Sequence, residues 1–265
     1  MKTMTGTLVT SAIDRHGDCL TEGALQGMVE QINSRWITVG VEHDPRIAPI
    51  GRIRAAKLVH RDGEVAVEGE MELFEPGDRV PLASDRAERE IHRYEPGEMV
   101  VQYDRTYRTP EGTADVAELT KILGARAVEE SKKALDPVSV LTIGVGFFAA
   151  GFLKKLGEDA YGALKEKLQA IFSKAESQSH DRFLSFRFMF EKDGVNGVAE
   201  VILTNPSPEE IDSFLSDGLA QLSESIQSAF DPGLGMRELT YEYRERTLQL
   251  QFAVRLDAVP LFPKR

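Results

Sequence analysis

The sequence predicts an α+β fold, and three kinds of pattern carry that expectation. Stretches alternating apolar and polar residues, as at 64–74 and 182–190, read as half-buried strands. Stretches with apolar residues at i, i+3, i+4 and i+7, as at 22–33, read as amphipathic helices. The pairs Asp62-Gly63 and Asp193-Gly194 read as hairpin turns. These patterns divide the chain into a β-rich N-terminal domain (1–110), a helical segment (111–178) containing an apolar run (137–153), and a C-terminal ββαββ α+β unit (179–265).

The first expected strand is 5–13, followed by a polar turn, Asp14-Arg15-His16-Gly17-Asp18. A helix over 22–33 sets Leu25, Met28, Val29 and Ile32 on one face. Strand character returns at 36–41, then at 50–60 and 64–74 across the Asp-Gly turn. The last of these places Val65, Val67, Gly69, Met71 and Leu73 on a single face. Residues 75–97 are polar, with Pro76, Pro81 and Pro96, and read as a surface loop with a short helix over 84–94. Residues 98–109 resume strand character, and 113–135 reads as a helix with Leu119, Ile122, Leu123 and Val128 inward, ended by Pro137.

A further amphipathic helix is expected over 158–174, burying Tyr161, Leu164, Leu168, Ile171 and Phe172. After a polar linker at 177–181 come strands at 182–190 and 198–204. Ser207-Pro208-Glu209-Glu210 then has the form of a capping box with proline in the first turn. The helix it starts runs to about residue 230, where Asp231-Pro232-Gly233 stops it, and strands at 239–246 and 248–256 follow. The expected arrangement is one helix packed on an antiparallel sheet.

The composition is that of a globular protein, 42% hydrophobic and 28% charged over 265 residues. A formal net charge of -11 argues against a nucleic-acid partner, which calls for a basic face. The single cysteine, Cys19, excludes an internal disulfide framework, reads as a packing residue, and fits a reducing cytoplasm. The opening residues have no apolar core of signal-peptide length. Asp14, His16, Asp18 and His43 lack the spacing of a metal site, and neither a metal nor a cofactor is expected.

The run PVSVLTIGVGFFAAGFL at 137–153 is uncharged. A membrane-spanning helix needs roughly 20 apolar residues, with about 17 as the lower limit, so two readings stand. In one the run is a buried helix or strand–turn–helix of the core. In the other it inserts into a membrane, with Phe147, Phe148 and Phe152 as the inserting side chains and Lys154 and Lys155 at the interface.

In the first region several features fall in a characteristic order. Ala12-Ile13-Asp14-Arg15-His16-Gly17-Asp18 precedes a helix from Glu22. Then come Val41-Glu42-His43-Asp44, Pro49-Ile50-Gly51-Arg52-Ile53, and a strand ending Val67-Glu68-Gly69-Glu70. This order resembles the phage prohead (capsid-maturation) serine protease family, relatives of the assemblin fold, over about 70 residues closely and about 105 loosely. The resemblance implies a β-barrel-like domain, a groove lined near Asp14, Asp44 and Arg52, and endopeptidase chemistry with His43 as general base. An imidazole suits that role because its pKa is near neutral.

The resemblance places the nucleophile on the strand Glu98-Met99-Val100-Val101-Gln102-Tyr103, which contains no serine; Val100 or a neighbour takes the place. Valine cannot attack a carbonyl. The remaining hydroxyl candidates are Ser84 from the loop, Thr106 further along the strand, and Ser139 in Ser139-Val140-Leu141-Thr142-Ile143-Gly144. The expectation is a non-catalytic, protease-derived module that binds a protein or peptide or assembles with itself, fused to a regulatory or membrane-associating C-terminal region. The alternatives are an active serine endopeptidase with a displaced nucleophile, and a membrane-acting effector that inserts 137–153.

Overall fold

Four strands rich in alternating branched and polar residues build the first sheet: β1 (Lys2–Thr10), β2 (Ile37–Val39), β3 (Gly51–Arg61) and β4 (Glu64–Leu73). They pair antiparallel in the order β1-β4-β3-β2. Gly63, with φ of 84°, allows the tight reversal between β3 and β4. Helix α1 (Glu22–Ser34) begins where the Thr21 side chain accepts the Ala24 N–H. Its buried face, Leu25, Val29 and Ile32, meets Ile53 and Val67 of the sheet.

The computed structural model describes residues 1–12, 19–40, 44–61, 63–75, 78–91, 94–129, 139–146, 149–173 and 181–263. The chain forms two compact units. The first gathers Met1–Val41, Ile47–Glu90 and Val254–Leu261; the second gathers Glu42–Arg46, Ile91–Ala253 and Phe262–Arg265. The α+β class is as expected, with a four-stranded antiparallel and an eight-stranded mixed sheet. The expected N-terminal barrel is not: among the described residues there is no closed barrel. No helix forms over the described part of 84–94 either.

The eight-stranded sheet has the order β12-β11-β10-β9-β8-β7-β5-β6. β5 (Met99–Tyr103), expected within the N-terminal β domain, is one of its interior strands, between β7 and β6. Met99 to Gln102 are all buried, the signature of a strand covered on both faces. Helix α2 (Pro110–Leu123) starts on a Thr109 cap with proline in its first turn. It stops twelve residues short of the expected end at 135, because Gly124 takes the left-handed conformation (φ 57°) that terminates helices. The chain then forms β6 (Arg126–Glu129), parallel to β5.

The apolar run is divided. Its first part is β7 (Ser139–Val145), antiparallel to β5 and parallel to β8, with Leu141, Ile143 and Val145 fully buried. A strand covered on both faces favours apolar residues throughout, which accounts for the apolar stretch 139–145. Helix α3 (Ala149–Ser173) follows and breaks at Gly157, where φ is 73°. Phe152 lies in the core, edge-on to Phe188 with ring centroids 5.9 Å apart, whereas Phe147 and Phe148 fall outside the described residues. Among the described residues no helix is long and apolar enough to cross a membrane.

β8 (Arg182–Lys192) and β9 (Val195–Thr204) form the expected hairpin, turning on Asp193 and Gly194, both with positive φ. The capping box forms as read: the Ser207 side chain accepts the Glu210 N–H and the Glu210 carboxylate accepts the Ser207 N–H. Helix α4 (Pro208–Ser213) continues through a π-turn at Phe214–Gly218 into α5 (Leu219–Ala229). Phe214 packs between Phe186 and Tyr243, with centroids 4.9 Å and 5.2 Å away.

The expectation of a purely antiparallel C-terminal sheet fails at one joint. β10 (Met236–Arg244) lies parallel to β9, because the helix between them is a crossover connection. These strands also share their sheet with β5, β6 and β7. β11 (Thr247–Arg255) and β12 (Pro260–Leu261) complete it.

The turn between β10 and β11 uses Glu245 (φ 51°) and Arg246 (φ 61°), neither of them glycine. A side chain in this conformation costs on the order of 1 kcal/mol. Arg246→Gly is therefore expected to raise the unfolding free energy by about 1 kcal/mol, the turn being one that favours glycine. Thermal and urea melts measure it, and a lower midpoint would contradict the strain.

Candidate functional site

The strand assigned to the nucleophile contains no serine, threonine or cysteine. Val100 is 1% exposed and stands in register with Gly144 of β7 and Arg126 of β6. Gly144 leaves room for the Tyr94 ring; a Cβ there would lie 2.2 Å from Tyr94 Cζ. The Tyr94 hydroxyl donates to Gln102 Oε1 at 2.8 Å. The second face of the sheet is therefore filled at this point by an aromatic ring and an amide.

The hydroxyl candidates have other places. Thr106 Oγ1 donates to Asp104 Oδ1 at 2.5 Å, within the cap of a short 3-10 turn. Asp104 is buried, and its other oxygen accepts the Val140 N–H at 2.6 Å, tying the end of β5 to the start of β7. Ser84 is exposed in an irregular stretch of the first unit. Ser139 is the first residue of β7, in register with Arg182. His43 and Asp14 lie outside the described residues.

Arg52 is positioned by β3 opposite Glu72 of β4. Gly51 beside it allows the strands to close, since a Cβ would lie 2.4 Å from the Glu72 carbonyl oxygen. The guanidinium donates to Glu72 at 2.7 Å and to the Asp257 carboxylate at 3.0 Å, and it covers the Trp36 ring at 4.1 Å. Asp257 has no exposed side-chain surface; it also accepts from Arg255 Nε at 2.9 Å and from the Ala83 N–H at 3.0 Å. Arg255 in turn donates to the carbonyls of Val80 and Pro81. Two cations and two carboxylates balance, and Arg52 is spent on structure rather than held out to a ligand.

Asp44 meets Arg46 in the second unit. The guanidinium donates to the carboxylate at 3.0 Å and 2.6 Å, approaches Asp181 at 3.4 Å, and lies 4.8 Å over the Phe183 ring. Burial would raise the Asp44 pKa, but hydrogen bonds from the Arg46 side chain and backbone, with its charge, hold it below the ordinary value.

Arg46 borders a cleft of about 430 Å³ at the carboxyl ends of the parallel strands β9 and β10. Thr204 and Asn205 line it from β9, Glu242 to Glu245 from β10, and Glu210 from α4. Open α/β sheets commonly bind ligands at such a point, with the next helix offering N–H groups to an anion. Here the capping box occupies the helix start, and Glu210 and Glu242 add negative charge. The cleft therefore offers no free helix N–H groups to an anion, and its lining mixes Arg46 and Arg244 with Glu210, Glu242 and Glu245. Among the described residues no group of three or more His, Cys, Asp or Glu is placed to hold a metal.

Set beside known proteins, the chain matches no family model, no curated protein and no solved structure.

Sequence reasoning singled out Arg52 and Asp44 but missed their partners Asp257, Arg255 and Arg46. One signal was Arg255-Leu256-Asp257, two opposite charges after the apolar stretch Phe252-Ala253-Val254.

Asp257→Ala strands two buried guanidinium groups and is expected to cost about 3–5 kcal/mol, read from urea unfolding. A loss within experimental error would show the cluster to be dispensable. For Asp44 the folded-state pKa lies below the unfolded one, so its contribution is complete above the ordinary carboxylate range. That contribution is lost as pH falls through the lowered value. Asp44→Asn is expected to lower stability at neutral pH and to flatten the acid limb of a stability–pH curve; an unchanged limb would contradict the pairing.

Proposed function

We propose that the chain is a non-catalytic, prohead-protease-like module that binds a protein or peptide or assembles with itself. The observation that carries this reading is the chemistry of β5. Its interior is Met99, Val100, Val101 and Gln102, all buried, and none of these side chains can be acylated. The commitments of the other residues point the same way: the Thr106 hydroxyl is bonded to Asp104, and Arg52 is bonded to Glu72 and Asp257.

The finer assignment, that the N-terminal region (1–110) derives from a prohead protease, rests on the sequence order Asp14, His43-Asp44 and Pro49-Ile50-Gly51-Arg52. The sheet that carries the last of these motifs is a four-stranded antiparallel one with α1 packed on it. A membrane-acting role draws less support, because β7 uses residues 139–145 of the run as an interior strand.

An activity-based fluorophosphonate probe separates binding from catalysis. The expected outcome is no labelling of the folded protein, unchanged by His43→Ala. Labelling that disappears in His43→Ala would overturn the proposal in favour of an endopeptidase with a displaced nucleophile, and peptide mapping of the adduct would identify that nucleophile.

A further inference from the structure

A sheet edge exposes a row of backbone N–H and C=O groups, so edge strands decide what a sheet can pair with. Most of the edges here are protected. β2 has three residues and β12 has two, while β6 has four and carries the exposed Arg126 and Glu129. Shortness and charge are common devices against unwanted strand pairing. β1 has neither: it runs nine residues along the edge of the first sheet, with Lys2 as its only charge and no proline. Residues Lys2 to Thr5 and Thr7 are exposed, and the regular ladder with β4 extends to Thr7, where the register shifts.

The pattern of this edge is self-complementary. Alternation places Thr3, Thr5 and Thr7 on one face and Lys2, Met4 and Gly6 on the other. If two copies run antiparallel about a twofold axis through Thr5, Thr5 meets Thr5 and Thr3 meets Thr7. On the other face Met4 meets Gly6, a long side chain over a position that has none. Cross-strand threonine pairs are favourable, and no like charges face each other in this register. The acidic row of β4 (Glu68, Glu70 and Glu72) is set back behind the threonines. Across the axis the two rows would lie about 14 Å apart, three strand spacings. That exceeds the screening length of roughly 10 Å at 0.1 M salt.

We propose that β1 pairs with β1 of a second copy of this chain in the Thr5-centred register, joining two four-stranded sheets into one continuous antiparallel sheet. The interface is isologous, as a twofold axis requires. It rests on the assembly reading above and specifies the partner. An edge-to-edge contact is small, so the dimer belongs to the weak class of interfaces and forms in the micromolar range.

Analytical ultracentrifugation of the full chain over a concentration series tests the pairing. The expected result is a reversible monomer–dimer equilibrium. Thr5→Lys and Thr5→Glu each put two like charges across the axis and should shift the equilibrium to monomer; Thr5→Lys, which faces Glu70 on β4, should keep the melting temperature, whereas Thr5→Glu should lower it slightly. Mixing these two variants should restore a one-to-one heterodimer. Thr5→Cys in a Cys19→Ser background should cross-link between copies under mild oxidation, which keeps the test decisive if a charge variant unfolds. A monomer at every concentration, or a dimer indifferent to Thr5→Lys, would overturn the pairing. Probe labelling of the same samples is independent: an unlabelled monomer refutes only the pairing, whereas His43-dependent labelling refutes the non-catalytic reading whatever the oligomeric state.

Discussion

Two arginines, two carboxylates and a tryptophan meet out of water in the first unit, and the Asp257 carboxylate is the group on which the others depend. It accepts from Arg52, from Arg255 and from the Ala83 N–H, joining segments as much as 205 residues apart in sequence. Arg52, at 4% exposure, would be an uncompensated buried charge without Asp257 and Glu72 beside it. Arg255 could not hold the carbonyls of Val80 and Pro81 if its own charge were unbalanced. Trp36 completes the cluster, with the guanidinium groups of Arg52, Arg86 and Arg54 at 4.1, 5.0 and 5.5 Å from its ring. The irregular chain around residues 80–83 is thus anchored by hydrogen bonds to charged groups rather than by secondary structure of its own.

The second unit solves the same problem of buried polarity with single hydrogen bonds along strands. Ser185 donates to Glu200 at 2.6 Å, and Arg187 approaches the same carboxylate at 3.1 Å, across the β8–β9 pair. Asp104 caps a turn with one oxygen and holds β7 with the other. On the opposite face, Phe186 and Phe188 turn toward Phe214 and Phe152, so α3 and the π-turn between α4 and α5 share one apolar floor. A residue that looks chemically available in the sequence, such as Thr106, is here part of this structural wiring.

Most of the local structure was legible in the residues. The α1 face, the hairpin at Asp193-Gly194 and the capping box at Ser207 and Glu210 all formed as their spacing implied. Each of these is decided by neighbours a few residues away, through φ preference, side-chain periodicity or a local hydrogen bond. The end of α2 was misread because Gly124 was passed over in favour of Pro137, although a left-handed glycine stops a helix without help from proline.

The sequence by itself determined the α+β class, the positions of most strands and helices, and the lack of a hydroxyl between Met99 and Gln102. Only the tertiary structure decided which sheet β5 joined, that β9 and β10 run parallel, and that the apolar run became an interior strand. It alone decided, too, that Arg52 answers to Asp257 rather than to a ligand. The physical reason is the range of the interactions. Turns and helix faces depend on neighbours in sequence, whereas strand partners and buried counter-ions are chosen among residues that only the folded chain brings together.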